Sequence, residues 1–204
     1  MKIALLFYGR IRHYEKKFAI KALSDYKDID IFYSSDNEPE HLINDFIKLY
    51  NPVSFNNDTI SYDVDFGKYP NNVTCPVNIN NMTRHFINLK RVFQLLEDTI
   101  KCKNIEYDII IVTRLDLNIS KIDLSNLVKD SLYIPFNEDH CGINDRFVMG
   151  YLESIKKYMN IFDNCLYLLD NKLSVPHPEC LTLANIKYSN INIIRFNLHH
   201  NLVR

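Results

Sequence analysis

Residues 107–120 read YDIIIVTRLDLNIS, from Tyr107 to Ser120. Ile109 to Val112 is an unbroken β-branched run, the pattern of a strand buried on both faces in the middle of a parallel sheet. Polarity inverts directly after it, at Thr113, Arg114 and Asp116. Unpaired charge is costly to bury, and in open α/β sheets ligands bind outside the carboxyl ends of the strands. Arg114 and Asp116 are therefore the first candidates for a binding site. A salt-bridged strand end is the plainer alternative.

Working back toward residue 1, Lys2 to Tyr8 (KIALLFY) repeats the buried-strand pattern and runs into Gly9, Arg10, Ile11 and Arg12. Glycine permits a tight turn or close approach of backbone to ligand. Guanidinium groups donate in a rigid fork suited to phosphate. A basic helix start would look the same. Asp30 to Tyr33 (DIFY) is a second strand, ending in Ser34, Ser35 and Asp36, whose small polar side chains suit ribose or base hydroxyls. Tyr14 to Tyr26 has helical spacing between these strands, so the pair forms a β-α-β unit with a right-handed crossover.

Glu40 to Leu49 reads as a helix and Val53 to Phe55 as a short strand. Residues 56–80 are irregular and rich in turn formers, and long loops of this kind are often functional. Asn81 to Ile100 is the clearest helix, with Met82, Phe86, Leu89, Phe93, Leu96 and Ile100 on one apolar face and Asn80 or Asn81 as its cap. Arg84, Asn88 and Arg91 share another face. That face is either solvated or, for Arg84 and Asn88, a wall of the ligand cleft.

Beyond the central stretch, Ile119 to Val128 reads as a connection and Leu132 to Pro135 as a strand. Asp145 stands between a polar loop, Asn137 to Asn144, and the apolar run Val148 to Gly150. Leu152 to Leu169 has the spacing of one long amphipathic helix. Pro178 and Glu179 suit the first turn of another. Ile191 to Phe196 reads as a last strand, followed by a tail containing His199 and His200.

The 204 residues are 47% hydrophobic and 24% charged, which predicts one globular domain. A net charge of −1 argues against a nucleic-acid surface. No apolar segment approaches the roughly 20 residues of a membrane span, and Met1 to Tyr8 lacks the length and cleavage site of a signal peptide. Five scattered cysteines (Cys75, Cys102, Cys141, Cys165, Cys180) show no CxxC or Cys/His metal spacing, so the expectation is reduced thiols in the cytoplasm.

The order of features, more than any one of them, resembles a family. A first strand ends in Gly-x-Arg and a second in DIFYSS. A long helix leads into TRLDL, followed by LYIP, by INDRFVMG, by HPECL and by a closing strand with LVR. This is similar to small GT-A-type glycosyltransferases of bacterial surface-polysaccharide clusters and large DNA viruses, over nearly the whole chain. The resemblance implies an α/β fold: a single Rossmann-like GT-A domain with a mostly parallel central sheet flanked by helices. Its nucleotide-binding half would span about 1–118 and its acceptor-side half about 119–204.

It also implies a nucleotide diphosphate sugar donor, a glycan or other hydroxyl acceptor, and a divalent metal, Mn or Mg, that neutralises the diphosphate. In that family an Asp-x-Asp motif ends the central strand. Here the triplet is Arg114-Leu115-Asp116, so Asp116 is the expected ligand while Arg114 is left to pair with phosphate directly. Asp63-Val64-Asp65 matches the letters, but no buried strand precedes it and it reads as loop chemistry. His199 or His200 would complete the metal site. Tyr8, Gly9, Arg10 and Arg12 would surround base and phosphate, with Ser34 and Ser35 in the nucleoside pocket and Arg84 and Asn88 beside the donor. Asp145 would be the catalytic base, with Glu179 the other acid on the acceptor side. A nucleotide-sugar hydrolase or nucleotidyltransferase, or a non-catalytic binding module on the same sheet, remains the alternative. Only 4 glycines in the chain count against a Gly-rich phosphate loop.

Overall fold

The computed structural model describes residues 1–70 and 77–203. Cys75 lies outside them. The β-branched runs become the strands expected of them: β1 (Lys2–Tyr8), β2 (Asp28–Ser34), β3 (Ser54–Asn56) and β4 (Ile109–Arg114). They pair in parallel in the order β3-β2-β1-β4. The sheet continues through β7 (Phe147–Gly150), β6 (Ser131–Pro135) and β8 (Asn192–Phe196). β7 runs antiparallel to both its neighbours, and β6 and β8 are parallel. Among the described residues the central sheet is thus seven-stranded and mostly parallel.

Alternation along β1 shows why both faces are covered. Ile3, Leu5 and Phe7 face a core built with α1 (Phe18–Ala22) and α2 (Glu40–Tyr50). Ala4, Leu6 and Tyr8 face a second core with α3 (Ile79–Lys103), α4 (Leu152–Met159), α5 (Ile161–Asp170) and α6 (Pro178–Tyr188). A strand whose two sides are both packed must be apolar throughout, as β1 and β4 are.

Three expectations are corrected. The long helix read over Leu152 to Leu169 is two helices that meet at Asn160. The apolar period runs through the break and hides it. Asn78, not Asn80 or Asn81, caps α3, its side chain accepting from the Asn81 amide at 3.1 Å. The segment after Asp116 is not simply a connection. It opens with β5 (Leu117–Ile119), which pairs antiparallel with β9 (His200–Leu202) from the tail. Among the described residues, no helix is long and apolar enough to cross a membrane.

Candidate active site

Register places the site. Tyr8 sits beside Ser34 on one side and beside Arg114 on the other, so the last rungs of β1, β2 and β4 coincide. The chain leaves that rung at Gly9, whose φ of +91° is a conformation open to glycine at little cost. Its amide donates to the Ser34 carbonyl at 2.9 Å, and its carbonyl accepts from the Tyr33 hydroxyl at 2.9 Å. Above this edge lies a cavity of about 470 Å³. It is lined by Tyr8, Gly9, Arg10, Arg12, Asp36, Asn37, Glu38, Asn81, Arg84, His85, Asn88, Arg114 and Asp116. That volume falls in the range of small-ligand sites.

Nine residues singled out in the sequence line this cavity: Tyr8, Gly9, Arg10, Arg12, Asp36, Arg84, Asn88, Arg114 and Asp116. Arg114 ends β4, and Asp116 is the second residue of the two-residue turn, Leu115–Asp116, that leads into β5, with Leu115 buried in the core. The guanidinium folds back onto the carboxylate as a fork, Nε to Oδ1 at 2.8 Å and Nη2 to Oδ2 at 2.7 Å. Arg84 Nε is 3.0 Å from Asp36 Oδ2. Arg10 and Arg12 are exposed and form no ion pair within 4 Å among the described residues. Burial raises the Glu38 carboxyl above its ordinary value, while Arg10 and Arg12 pull it back down.

Ser34 and Ser35 are fully buried and hold the wall from behind. Ser34 Oγ donates to Asn88 Oδ1 at 2.9 Å, which leaves the Asn88 amide nitrogen for the cavity. Ser35 Oγ donates to Asn57 Oδ1 at 2.6 Å.

His85, with Asn37 and Glu38, lines the cavity without having been a candidate in the sequence. Asn81, Arg84, His85 and Asn88 stand at i, i+3, i+4 and i+7 on α3, so helical spacing from Arg84 and Asn88 was the available signal. Its ring meets Tyr8 edge-on at 5.0 Å, and Nε2 lies 3.6 Å from Asp145 Oδ2 without a hydrogen-bond partner among the described residues. Burial lowers the pKa of His85. Asp145 opposes that shift and Arg114 adds to it. Asp145 is itself buried and is tied to the site through its carbonyl, which accepts from the Tyr8 hydroxyl at 2.8 Å. Burial, then Asp145, push the Tyr8 hydroxyl well above its ordinary value, so it stays a donor.

Glu179 lies apart from the cavity, buried at the first turn of α6. Burial pushes its pKa up to about 8, with Asp145 contributing. The tail histidines also lie elsewhere. His200 uses both ring nitrogens, Nε2 with the Asn144 amide at 3.0 Å and Nδ1 with the Leu198 carbonyl at 2.9 Å. His199 is exposed. Neither lines the cavity with Asp116.

The donor set does not suit a resident Mn or Mg ion. Both Asp116 oxygens already accept from a guanidinium, whose positive charge stands where a second carboxylate would be needed. Asp63 and Asp65 are exposed, and Asp65 accepts from the Gly67 amide at 2.8 Å as an ordinary loop cap. Among the described residues the group of three or more His, Cys, Asp or Glu that converges as metal ligands would is Cys141, His177 and Cys180, outside the cavity. The sequence reading found no Cys/His metal spacing, and the fold supplies it by docking the loop before β7 on α6.

No family model and no curated protein matches the chain. Solved structures do. A nucleoside-diphosphate-sugar pyrophosphorylase from Vibrio cholerae RC9 superposes with a TM-score of 0.52 at 7% identity, over 95% of this chain and 91% of its own. A protein assigned as a nucleotide-diphospho-sugar transferase, from Desulfovibrio desulfuricans G20, gives 0.51 at 9% identity, over 97% and 80%. A glycosyltransferase involved in the glycosylation of the major capsid of PBCV-1 gives 0.46 at 10% identity, over 97% and 83%. At such identities the likeness to the first two is one of architecture: the chain shares their α/β fold.

Proposed function

We propose that the protein is a glycosyltransferase of hexosyltransferase type, moving a sugar from a nucleotide diphosphate sugar to a hydroxyl of a glycan or related acceptor. The observation that carries this is the convergence of Arg10, Arg12, Arg84 and Arg114 on one cavity at the carboxyl edge of β1, β2 and β4. Fixed cations there suit an anionic donor and stabilise the charge that develops on a departing diphosphate. The Asn88 amide and the Tyr8 ring complete the wall for a nucleoside.

The expected metal assistance is replaced in this reading by arginine. Arg10 and Arg12 hold the diphosphate directly, and Arg114, kept in place by Asp116, contributes the nearest charge. The bond between the sugar's anomeric carbon and the diphosphate oxygen breaks, its electrons staying on the diphosphate. The acceptor oxygen forms the new bond and gives up its proton. Asp145 is the carboxylate that takes this proton, with His85 standing between it and the cavity as the relay.

Titration with UDP- and GDP-sugars tests the reading, following thermal stability and nucleotide release in EDTA and in Mn²⁺. Donor binding of equal strength in both, with nucleoside diphosphate released when a hydroxyl acceptor is added, is the expected result. Binding only with Mn²⁺ returns the metal to the site. Binding with no release, to acceptor or to water, leaves a non-catalytic module, and no binding at all removes the donor.

A further inference from the structure

A second cluster of chemistry lies away from the donor cavity. Cys141 sits on the loop ahead of β7, and His177 and Cys180 sit at the start of α6. Cys141 Sγ is 3.0 Å from Cys180 Sγ and 3.2 Å from His177 Nδ1. The three donor atoms lie within 4.8 Å of one another. His177 is buried, Cys180 half-buried and Cys141 exposed. The Glu179 side chain is only 7% exposed, yet its Oε2, 3.3 Å from the same His177 nitrogen, has no hydrogen-bond partner among the described residues.

The backbone is built to hold these residues together. The Gly142 amide donates to the Asp139 carbonyl at 2.7 Å, and the Ile143 amide donates to the Glu179 carbonyl at 3.2 Å. A Cβ on Gly142 would meet the Glu179 carbonyl oxygen at 2.1 Å, so only glycine lets the loop lie this close to α6. Asn137, Glu138 and His140 all take positive φ (76°, 58° and 39°). Such conformations persist where the surroundings over-determine them.

We propose that Cys141, His177 and Cys180 form a zinc site. Two thiolates and one imidazole are a soft donor set, which selects Zn²⁺ over Mg²⁺ or Mn²⁺. Tetrahedral zinc, with bonds of about 2.3 Å to sulfur and 2.0–2.1 Å to nitrogen, spreads its donors roughly 3.5–3.8 Å apart. The Cys141–Cys180 and Cys141–His177 separations reach that arrangement by opening less than about 1 Å. Binding releases two thiol protons to solvent. The resulting Zn²⁺ with two thiolates is electrically neutral beside Glu138, Asp139 and Asp145. The fourth position is left for water, and Glu179 Oε2 is the free acceptor for it. The ion would pin the loop that leads into Asp145, so it is a structural clasp on the acceptor side of the molecule.

The test uses the full chain, reduced and stripped with chelator, with Cys75→Ser and Cys102→Ser to remove two of the thiols outside the cluster. Zn²⁺ is titrated in competition with a chromophoric chelator, and Co²⁺ serves as the spectroscopic probe. The expected result is one equivalent of metal per chain and a cobalt–thiolate charge-transfer band. Cys141→Ser and Cys180→Ser should each abolish that band and weaken Zn²⁺ binding by at least about 100-fold, since even outer-shell changes cost 10–100-fold. Cys141 is exposed, so its serine variant is expected to fold, and circular dichroism checks this. Less than one equivalent bound, or unchanged affinity in the Cys141→Ser variant, overturns the proposal. So does an air-formed Cys141–Cys180 disulfide in a protein whose reduced form takes up no zinc.

Discussion

At the carboxyl edge of β1, β2 and β4, Asp116 and Asp36 each hold an arginine, whereas beneath the loop ahead of β7, Asp145 and Glu179 face histidines. Arginine keeps its charge at any working pH, so the first region is a fixed electrostatic surface. Imidazole exchanges protons near neutrality, and burial pushes the Glu179 carboxyl up to about 8, so the second region can move a proton. Holding an anion and accepting a proton call for opposite kinds of acid partner, and the molecule separates them across Tyr8 and His85, which touch both.

The sharpest way to break that contrast is Asp145→Asn. Loss of a general base costs about 10²–10⁴ in rate, so turnover should collapse while donor affinity holds. Unchanged nucleotide release in that variant would remove Asp145 from the chemistry. Arg114→Ala should do the reverse, lowering donor affinity about 10- to 100-fold through a lost charge-assisted contact. It also leaves the Asp116 carboxylate buried and unpaired. The stability loss should be about 1–3 kcal/mol, below the value for a fully buried pair because the Arg114 side chain is 34% exposed. Arg114→Ala with Asp116→Asn should recover part of that stability and none of the donor affinity, and calorimetry on the two proteins measures both.

Two smaller effects sharpen the comparison on the loop side. Gly142→Ala forces the loop off α6 and should cost about 1–3 kcal/mol, read by denaturant unfolding. If donor affinity falls as well, the two regions are not separable. His85 sets a pH effect whose sign follows from its lowered pKa. The unfolded chain takes a proton near pH 6.5 while the buried ring resists it, so folding stability falls as pH drops below that value. His85→Gln removes this contribution and should flatten the decline between pH 7 and pH 5.5 by at most about 1.4 kcal/mol per pH unit. An identical pH profile for variant and parent would mean that another group governs it.

The sheet edge that carries the cavity was legible because its signal is local. Ile109 to Val112 and Lys2 to Tyr8 are apolar without interruption, and the polar residues that follow each strand must lie at one edge if the strands are parallel. The α4–α5 break at Asn160 was not legible, since apolar spacing continues across it. Nor was β5–β9, because three-residue strands carry too little pattern to be told from a loop. Ser34 and Ser35 show the limit of reading residue type alone. Their hydroxyls suit a ribose, yet fixed rungs turn them toward Asn88 and Asn57. Cys141 and Cys180 lie on different elements, and only the docking of a loop on a helix brings them into contact.

The strand pairings also set an order of assembly. β1 cannot close on β4 until Ile3 meets Ile109, and β5 waits for Leu202 to reach Leu117. Both are contacts between distant parts of the chain, of the kind that slows folding. On a ribosome the parallel half can form once β4 has emerged, while the turn that presents Asp116 stays one partner short until the tail returns to place the Val203 amide on the Asp116 carbonyl. Pulsed amide exchange on chains still being synthesised should therefore protect β1 and β4 before β5, and the cavity should gain its parallel-strand edge before the turn that carries Asp116 is fixed.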